Sequence, residues 1–167
     1  MQTQYGEKNM RFKTQKENNI DLFYSSDPKV FAKKYIDYLS HILHKISTDE
    51  VETFIKSLLG ARGRGASIFF AGNGGSAATA SHFANDLAIG TNDYEKPFRV
   101  VSLTDNVAVI SAIGNDFGYD EIFVRQLRVL GNKGDLIVCI SASGNSANLI
   151  NAFDYAKSAG IKTIALT

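Results

Sequence analysis

From residue 67 to the last residue, short apolar runs alternate with longer segments of helical periodicity. The strand-like runs cover residues 68–71, 99–103, 136–140 and 163–166, and the helical runs cover residues 77–89, 107–113, 121–130 and 147–159. Such alternation is typical of βαβ units, whose strands pair in parallel and are covered by helices on both faces. Because the strand-like runs are almost wholly apolar, the sequence predicts a three-layer α/β/α fold around a buried parallel sheet.

The residues before this alternation predict a polar arm followed by two helices. Either Ser26 or Asp27 can cap a helix whose first turn contains Pro28, and Thr48 stands at a second start signal. Glycines 60, 63 and 65 are predicted to end the second helix. We therefore divide the chain into an arm, residues 1–25, and one domain, residues 26–167, that includes both helices.

Charge and cysteine content exclude several classes of protein. The 18 Lys and Arg residues balance 17 Asp and Glu residues, which gives no electrostatic reason to expect nucleic acid or an anionic membrane as partner. The single cysteine, Cys139, lies in an apolar run and is predicted to be a buried small hydrophobic residue. With no apolar N-terminal segment resembling a signal peptide, we expect a cytoplasmic protein.

Polar side chains follow the first three strand-like runs, at the point where each run ends. They are Asn73 and Ser76 after the first run, Thr104, Asp105 and Asn106 after the second, and Ser141, Ser143, Asn145 and Ser146 after the third. Because the carboxyl ends of parallel strands lie at one edge of a sheet, we expect these side chains to converge on one crevice. Each loop alone is as typical of a helix cap or a turn, but two similar loops at helix starts favour a shared ligand.

The first of these loops has a composition that suits an anion. Residues 72–76 read Gly-Asn-Gly-Gly-Ser and stand between an apolar run and a helix of small residues. A helix that begins at such a turn points free N–H groups and the positive end of its dipole at one place, where a phosphate can bind. The third loop offers hydroxyls without a nearby Lys or Arg, so the pair favours a phosphate monoester held by neutral donors.

The same first loop also fits a variant of the dinucleotide-binding fingerprint, through Gly72, Gly74 and Ala77. That fingerprint expects an acidic residue about 20 positions further on, at the end of the next strand. Residues 96–99, which lead into the second strand-like run, read Lys-Pro-Phe-Arg. A nucleotide-binding domain is therefore a remote alternative.

His82 and Asp86 are four residues apart in the helix that follows the first loop, so they share one helical face. A histidine and a carboxylate on one face above a phosphate site can be metal ligands or acid–base groups. The same spacing also fits an ordinary histidine–carboxylate pair, and the spacing does not decide between these interpretations. Asp116, in a glycine-flanked polar loop, suits a turn or a contact with a neighbouring subunit's site.

Five segments together resemble a known family, the SIS (sugar isomerase) domain, and within it the phosphoheptose isomerases. The segments are residues 72–76 (GNGGS), 81–87 (SHFANDL), 103–106 (LTDN), 114–118 (GNDFG) and 141–148 (SASGNSAN). The resemblance runs from about residue 30 to residue 167, in order and without gaps. It implies a flavodoxin-like sheet, with N-terminal helices that pack a homotetramer.

The resemblance also implies roles for individual residues. A sugar-phosphate substrate would be held by Asn73, Gly74, Ser76, Ser141, Ser143 and Ser146, with Asp105 and Asn106 nearby. His82 matches a ligand of a divalent metal, usually zinc, and Asp86 occupies the position of a glutamate that is both ligand and catalytic base. Two further groups, a Gln and a His, would lie in a C-terminal helix that this sequence does not contain, so we expect the native chain to continue beyond Thr167.

Two hypotheses follow from this resemblance. The first is an aldose–ketose isomerase that converts sedoheptulose 7-phosphate to a manno-heptose 7-phosphate for lipopolysaccharide precursors. The second is a non-catalytic SIS module that binds a sugar phosphate or a protein partner. The second is motivated by Asp86, because aspartate in place of glutamate withdraws the carboxylate by roughly 1 Å and such a displacement can cost about 100-fold in rate.

Overall fold

The computed structural model describes residues 19–167, in two compact units that divide at Thr48. The first unit contains a short 3₁₀ turn, Asn19–Leu22, and helix α1, Pro28–Leu43. The carboxylate of Asp27 accepts the N–H of Lys29 at 2.8 Å, which confirms the predicted cap. Most of the predicted arm, residues 1–25, lies outside the described residues, so the division into an arm and one domain stays a prediction.

The second unit runs from Asp49 to Thr167 and contains the sheet. Its elements are α2 (Thr48–Gly63, which begins at the division), β1 (Ser67–Gly72), α3 (Gly75–Asn85), β2 (Arg99–Ser102), α4 (Val107–Phe117), α5 (Val124–Leu130), β3 (Leu136–Ile140), α6 (Ala147–Ser158) and β4 (Lys162–Leu166). All neighbouring strands are parallel, and their order is β2-β1-β3-β4. This is the order in which a flavodoxin-like sheet begins, with its topological switch point between β1 and β3.

Both faces of the central strands β1 and β3 are buried, as their apolar sequences predict. Along β1, Phe69 packs with β3, α5 and α6 on one face, and Phe70 packs with α2 and α3 on the other. The alternation follows from the two-residue period of a strand. Cys139 of β3 lies in the first of these clusters, and burial raises the pKa of its thiol to about 12. The three-layer prediction is therefore confirmed, and Cys139 is a buried hydrophobic residue rather than a reactive thiol.

Two predicted helices differ from the observed ones. Residues 121–130 do not form one helix, because a 3₁₀ turn, Tyr119–Glu121, precedes the shorter α5. The consecutive residues Ile122, Phe123 and Val124 are all buried, and a helix with one buried face cannot bury three in a row. The α3 segment ends earlier than predicted and passes into a π-helical turn, Asp86–Gly90, a feature that is frequent at functional sites.

The second N-terminal helix also ends differently from the prediction, since Gly60 lies inside α2 and the helix continues to Gly63. Gly65, with a φ of 68°, makes the turn into β1. Within residues 19–167, no helix combines the length and the continuous apolar character needed to cross a bilayer.

The amino end of the sheet, where β1 and β3 begin, is closed by a buried carboxylate. Asp135, only 5% exposed, accepts the backbone N–H of Ser67 at 2.8 Å and that of Asn132 at 2.8 Å. Nearby, the guanidinium of Arg62 donates to the Lys96 carbonyl and pairs with Asp93. These contacts join the ends of helices and strands at the amino end of the sheet. The polar loops lie at the opposite, carboxyl end.

Candidate sugar-phosphate site

A cavity of about 370 Å³ lies at the carboxyl end of the sheet, at the switch point between β1 and β3. It is lined by Asn73, Gly75, Ser76, Ile140, Ser141, Ala142, Ser143 and Ser146. Apart from Ile140, the last residue of β3, these residues come from the loops after β1 and β3 and from the helix starts that follow them. The predicted convergence of the first and third loops is therefore observed, and none of the lining residues is charged.

The two helices that begin at this cavity start without a side-chain cap. Gly74, with a φ of 54°, precedes α3, and Ser146 precedes α6, and neither donates or accepts a side-chain capping bond. By contrast, Asn106 caps α4 by accepting the N–H of Val109 at 3.1 Å. The starts of α3 and α6 therefore present N–H groups that no capping side chain satisfies, which is the arrangement that binds anions.

The turn before α3 requires a glycine for a steric reason. A Cβ on Gly72 would lie 2.5 Å from the backbone oxygen of Ser76. The first turn of α3 therefore passes directly over the end of β1, and only a residue without a side chain allows that approach. Gly72 thus sets the position of the Ser76 backbone at the cavity.

The serine hydroxyls of the third loop are oriented by backbone N–H groups. Ser141 Oγ accepts the N–H of Gly144 at 3.1 Å, and Ser143 Oγ accepts the N–H of Asn145 at 3.3 Å. The two hydroxyl oxygens also lie 3.5 Å apart, so one hydroxyl can donate to the other while the second keeps its proton for another oxygen. The loop is therefore suited to a ligand rich in oxygen acceptors, as a phosphate is.

The loop after β2 does not line the cavity. One carboxylate oxygen of Asp105 accepts the hydroxyls of Ser81, Ser102 and Thr104, which ties this loop to α3. Asn106 is occupied as the cap of α4. Asp105, Asn106 and Gly74 are thus the predicted substrate residues that do not line the cavity, and their contact with a ligand stays a prediction.

His82 and Asp86 meet on the exposed face of α3, where Nε2 of His82 lies 3.2 Å from Oδ2 of Asp86. Their side chains are 76% and 56% exposed. Two ligands of a tetrahedral zinc ion are separated by roughly 3.3 Å, so the pair fits two positions of a metal site as well as a simple hydrogen bond. Within residues 19–167 no third His, Cys, Asp or Glu joins them, so the metal role of the pair stays a prediction.

Comparison with known proteins identifies the family. A profile of the SIS domain matches residues 32–167. The chain belongs to the SIS domain family. Among curated relatives, a phosphoheptose isomerase of Aliarcobacter butzleri is 43% identical over 134 residues, which cover 80% of this chain and 67% of that protein. One of Sulfurimonas denitrificans is 50% identical over 97 residues, which cover 58% of this chain and 49% of that protein.

Solved structures agree with the sequence comparison. The structure of a phosphoheptose isomerase from Francisella tularensis matches this SIS domain with a TM-score of 0.76 and 29% identity, and the match covers 86% of this chain and 76% of that one. The resemblance to phosphoheptose isomerases is thus confirmed. The chain spans two thirds of the length of the first curated relative above and about half of the second.

Sequence reasoning did not assign a role to two residues at the edge of the SIS-domain site. Asn148, 2% exposed, exchanges two amide hydrogen bonds with Asn73, and the hydroxyl of Tyr119 donates to the same Asn73 side chain. A signal for Asn148 exists in the sequence, because it shares a helical face with the buried Ala152 and Ala156. A polar residue on a buried face must find a polar partner.

Proposed function

We propose that this protein is a phosphoheptose isomerase, which interconverts sedoheptulose 7-phosphate and a manno-heptose 7-phosphate. The observation that carries the proposal is the neutral cavity at the switch point, where two uncapped helix starts and the oriented hydroxyls of Ser141 and Ser143 face one space. Such a set of donors suits a phosphate monoester. The names of the matching relatives support the same substrate class.

The spacing along α3 supports a long sugar phosphate. His82 lies seven residues beyond Gly75, where α3 begins at the cavity. At the rise of an α-helix this is about 10 Å along the axis. An extended seven-carbon chain with its phosphate in the cavity spans a similar distance, so its carbonyl end would reach the face that carries His82 and Asp86.

Asp86 is the proposed base. Its carboxylate removes a proton from the carbon next to the ketone, and the electron pair of that C–H bond forms the enediolate. The proton then returns to the former ketone carbon, while the hydroxyl proton moves between the two oxygens, so no group is gained or lost. A base that stays within reach of both carbons can carry out both transfers.

His82 and Asp86 are also the proposed ligands of a divalent metal ion, zinc in the first instance. A bound metal would stabilise the negative oxygen of the enediolate. The 3.2 Å separation of Nε2 and Oδ2 is compatible with two ligands of one ion, and the remaining ligands would come from outside the described residues. The role of His82 toward substrate is then to fix the orientation of the Asp86 carboxylate.

We further propose a homotetramer assembled through the N-terminal helices. No described residue of α1 is buried, and its apolar residues include Ile36, 60% exposed, and Leu43, 54% exposed. In α2, Leu59 is 50% exposed. Exposed apolar residues on two successive helices favour an interface between protein chains. The proposed setting is the cytoplasm, where the product would feed nucleotide-heptose and lipopolysaccharide precursor synthesis.

A second candidate function is a non-catalytic SIS module that binds a sugar phosphate. It is favoured by the exposed His82–Asp86 pair, which lacks a third ligand among residues 19–167. Two experiments on the same preparation separate the candidates. A calorimetric titration measures binding of sedoheptulose 7-phosphate, and an assay with zinc measures formation of an aldose phosphate. Binding with turnover supports the isomerase, and binding without turnover under any divalent metal supports the module.

A further inference from the structure

The side-chain amide of Asn73 is held from two sides at the edge of the cavity. Its Nδ2 donates to Oδ1 of Asn148 at 2.9 Å, and its Oδ1 accepts Nδ2 of Asn148 at 2.9 Å. The hydroxyl of Tyr119 also donates to Oδ1 of Asn73, at 3.0 Å. Three hydrogen bonds therefore fix one side chain that lines the proposed phosphate site.

These contacts determine which polar group Asn73 can offer to a ligand. A carboxamide has two lone pairs on its oxygen and two N–H groups. Asn148 and Tyr119 occupy both lone pairs, and Asn148 takes one N–H. The group left for the cavity is the second N–H, which is a donor. An asparagine side chain can present either a donor or an acceptor. Here Asn73 can present only a donor to the cavity, and a donor attracts an anion.

The two partners of Asn73 are themselves well placed to act as fixed supports. Asn148 lies at the start of α6 and is 2% exposed, so its amide has no water to compete for it. Tyr119 stands in the 3₁₀ turn Tyr119–Glu121, and the carbonyl of Asp120 in that turn accepts Nδ2 of Asn151 from α6 at 3.1 Å. The turn is thus tied to α6 independently of the Tyr119 hydroxyl.

We propose that Tyr119 and Asn148 are positioning residues of the sugar-phosphate site, which act through Asn73 by keeping its oxygen turned away from the ligand. The inference rests on the proposed function in requiring that the cavity binds a phosphate. It adds that this SIS domain favours an anion in two ways: the cavity supplies donors, and Tyr119 and Asn148 occupy the acceptor oxygen of Asn73.

The test is a double-mutant cycle with inorganic phosphate as ligand. Affinity is measured by calorimetry on the wild-type protein, on Tyr119→Phe, on Asn73→Ala and on the double variant. Tyr119→Phe removes one hydrogen bond of about 1 kcal/mol, so the dissociation constant is expected to rise roughly fivefold. In the Asn73→Ala background the same change has no further effect, because Tyr119 acts only through Asn73. Tyr94→Phe, a change at a 72% exposed tyrosine, is the matched control and leaves the affinity unchanged.

The outcomes distinguish this inference from the isomerase proposal. An equal loss of affinity on Tyr119→Phe in both backgrounds, or no loss in either, would overturn it, as would a wild-type protein that binds no phosphate. The melting temperature of Tyr119→Phe is measured as a control for loss of folded protein. Weaker binding accompanied by a lower melting temperature would also count against the inference. If the predicted coupling is found but sedoheptulose 7-phosphate is not converted, the inference stands and the isomerase proposal fails.

Discussion

The amino end of the parallel sheet and the exposed face of α3 use the same residue type for opposite purposes. At the amino end, Asp135 is buried and both of its carboxylate oxygens accept backbone N–H groups. At the far end of α3, Asp86 is more than half exposed, and its partners are the side chains of His82 and Asn85. A buried carboxylate whose hydrogen bonds are all made with the backbone stabilises the fold, whereas an exposed one that contacts only side chains is available for chemistry.

A similar contrast distinguishes the loop after β2 from the loop after β3. Asp105 and Asn106 are occupied by hydroxyls and by a helix N–H, so they hold the loop after β2 in place. Ser141 and Ser143 accept N–H groups and share one hydroxyl–hydroxyl contact, which leaves one hydroxyl proton for a ligand, and the helix after Ser146 begins without a side-chain cap. Free hydrogen-bonding capacity, rather than residue type, therefore distinguishes the cavity from its surroundings.

The largest effect is expected on the exposed face of α3, for Asp86→Asn. Removing the base is predicted to lower kcat by about 1,000-fold while the free energy of unfolding changes little, because the side chain is exposed. The matched variant Asp86→Glu carries the longer carboxylate that the family resemblance implies and is predicted to raise kcat, by up to about 100-fold. Steady-state kinetics and urea unfolding measure both. Equal kcat in the wild-type protein and Asp86→Asn would remove Asp86 from the mechanism.

The next effect is expected at the amino end, for Asp135→Ala. Two backbone N–H groups lose a charged acceptor, which is predicted to cost about 3 kcal/mol in the free energy of unfolding. Asp154→Ala, at an exposed position of α6, is the control and is predicted to change that free energy by less than about 0.5 kcal/mol. Urea unfolding followed by circular dichroism gives both values. If the two variants unfold at the same urea concentration, Asp135 does not have the structural role described above.

A smaller effect is predicted for Ser143→Ala at the cavity. Loss of one hydroxyl donor is expected to weaken binding of inorganic phosphate roughly fivefold, with an unchanged melting temperature. Ser158→Ala serves as the control, because Ser158 bonds the Tyr155 carbonyl at the far end of α6. Calorimetry on both variants makes the comparison. Unchanged affinity in Ser143→Ala would contradict the assignment of the phosphate to this loop.

The smallest effect concerns pH and the half-buried Arg62–Asp93 pair at the amino end. The N–H of Lys96, which donates to Asp93 at 3.1 Å, lowers the pKa of Asp93 from 3.8, and the charge of Arg62 lowers it further, against an opposing desolvation. A lowered pKa means that the stabilisation is present above pH 3.8 and is lost as the pH falls through the folded-state value. The urea midpoints of wild type and Asp93→Asn are therefore expected to differ slightly at neutral pH and to converge at about pH 2. A difference that persists there would show that the charge of Asp93 is irrelevant.

The sheet was predictable from the sequence because apolar runs bounded by glycines leave few alternatives, and β3 has the predicted bounds. The loops after β1 and β3 were predictable as a pair, since parallel strands bring their carboxyl ends together. The separation of Asp105 from the cavity was not predictable, because it depends on hydroxyls from α3 and β2 that meet only in the folded chain. The pairing of Tyr119 with Asn73 joins residues 46 positions apart, and no local pattern indicates it.

The most direct test of the isomerase proposal is proton exchange on the substrate. Sedoheptulose 7-phosphate is incubated with the protein and zinc in heavy water, and NMR follows the hydrogen on the carbon next to the ketone. The predicted result is replacement of that hydrogen by deuterium, with an aldose phosphate as product, and loss of both in Asp86→Asn. If the substrate binds but neither exchange nor aldose is detected with any divalent metal, the carboxyl end of this sheet is a binding site and not an isomerase.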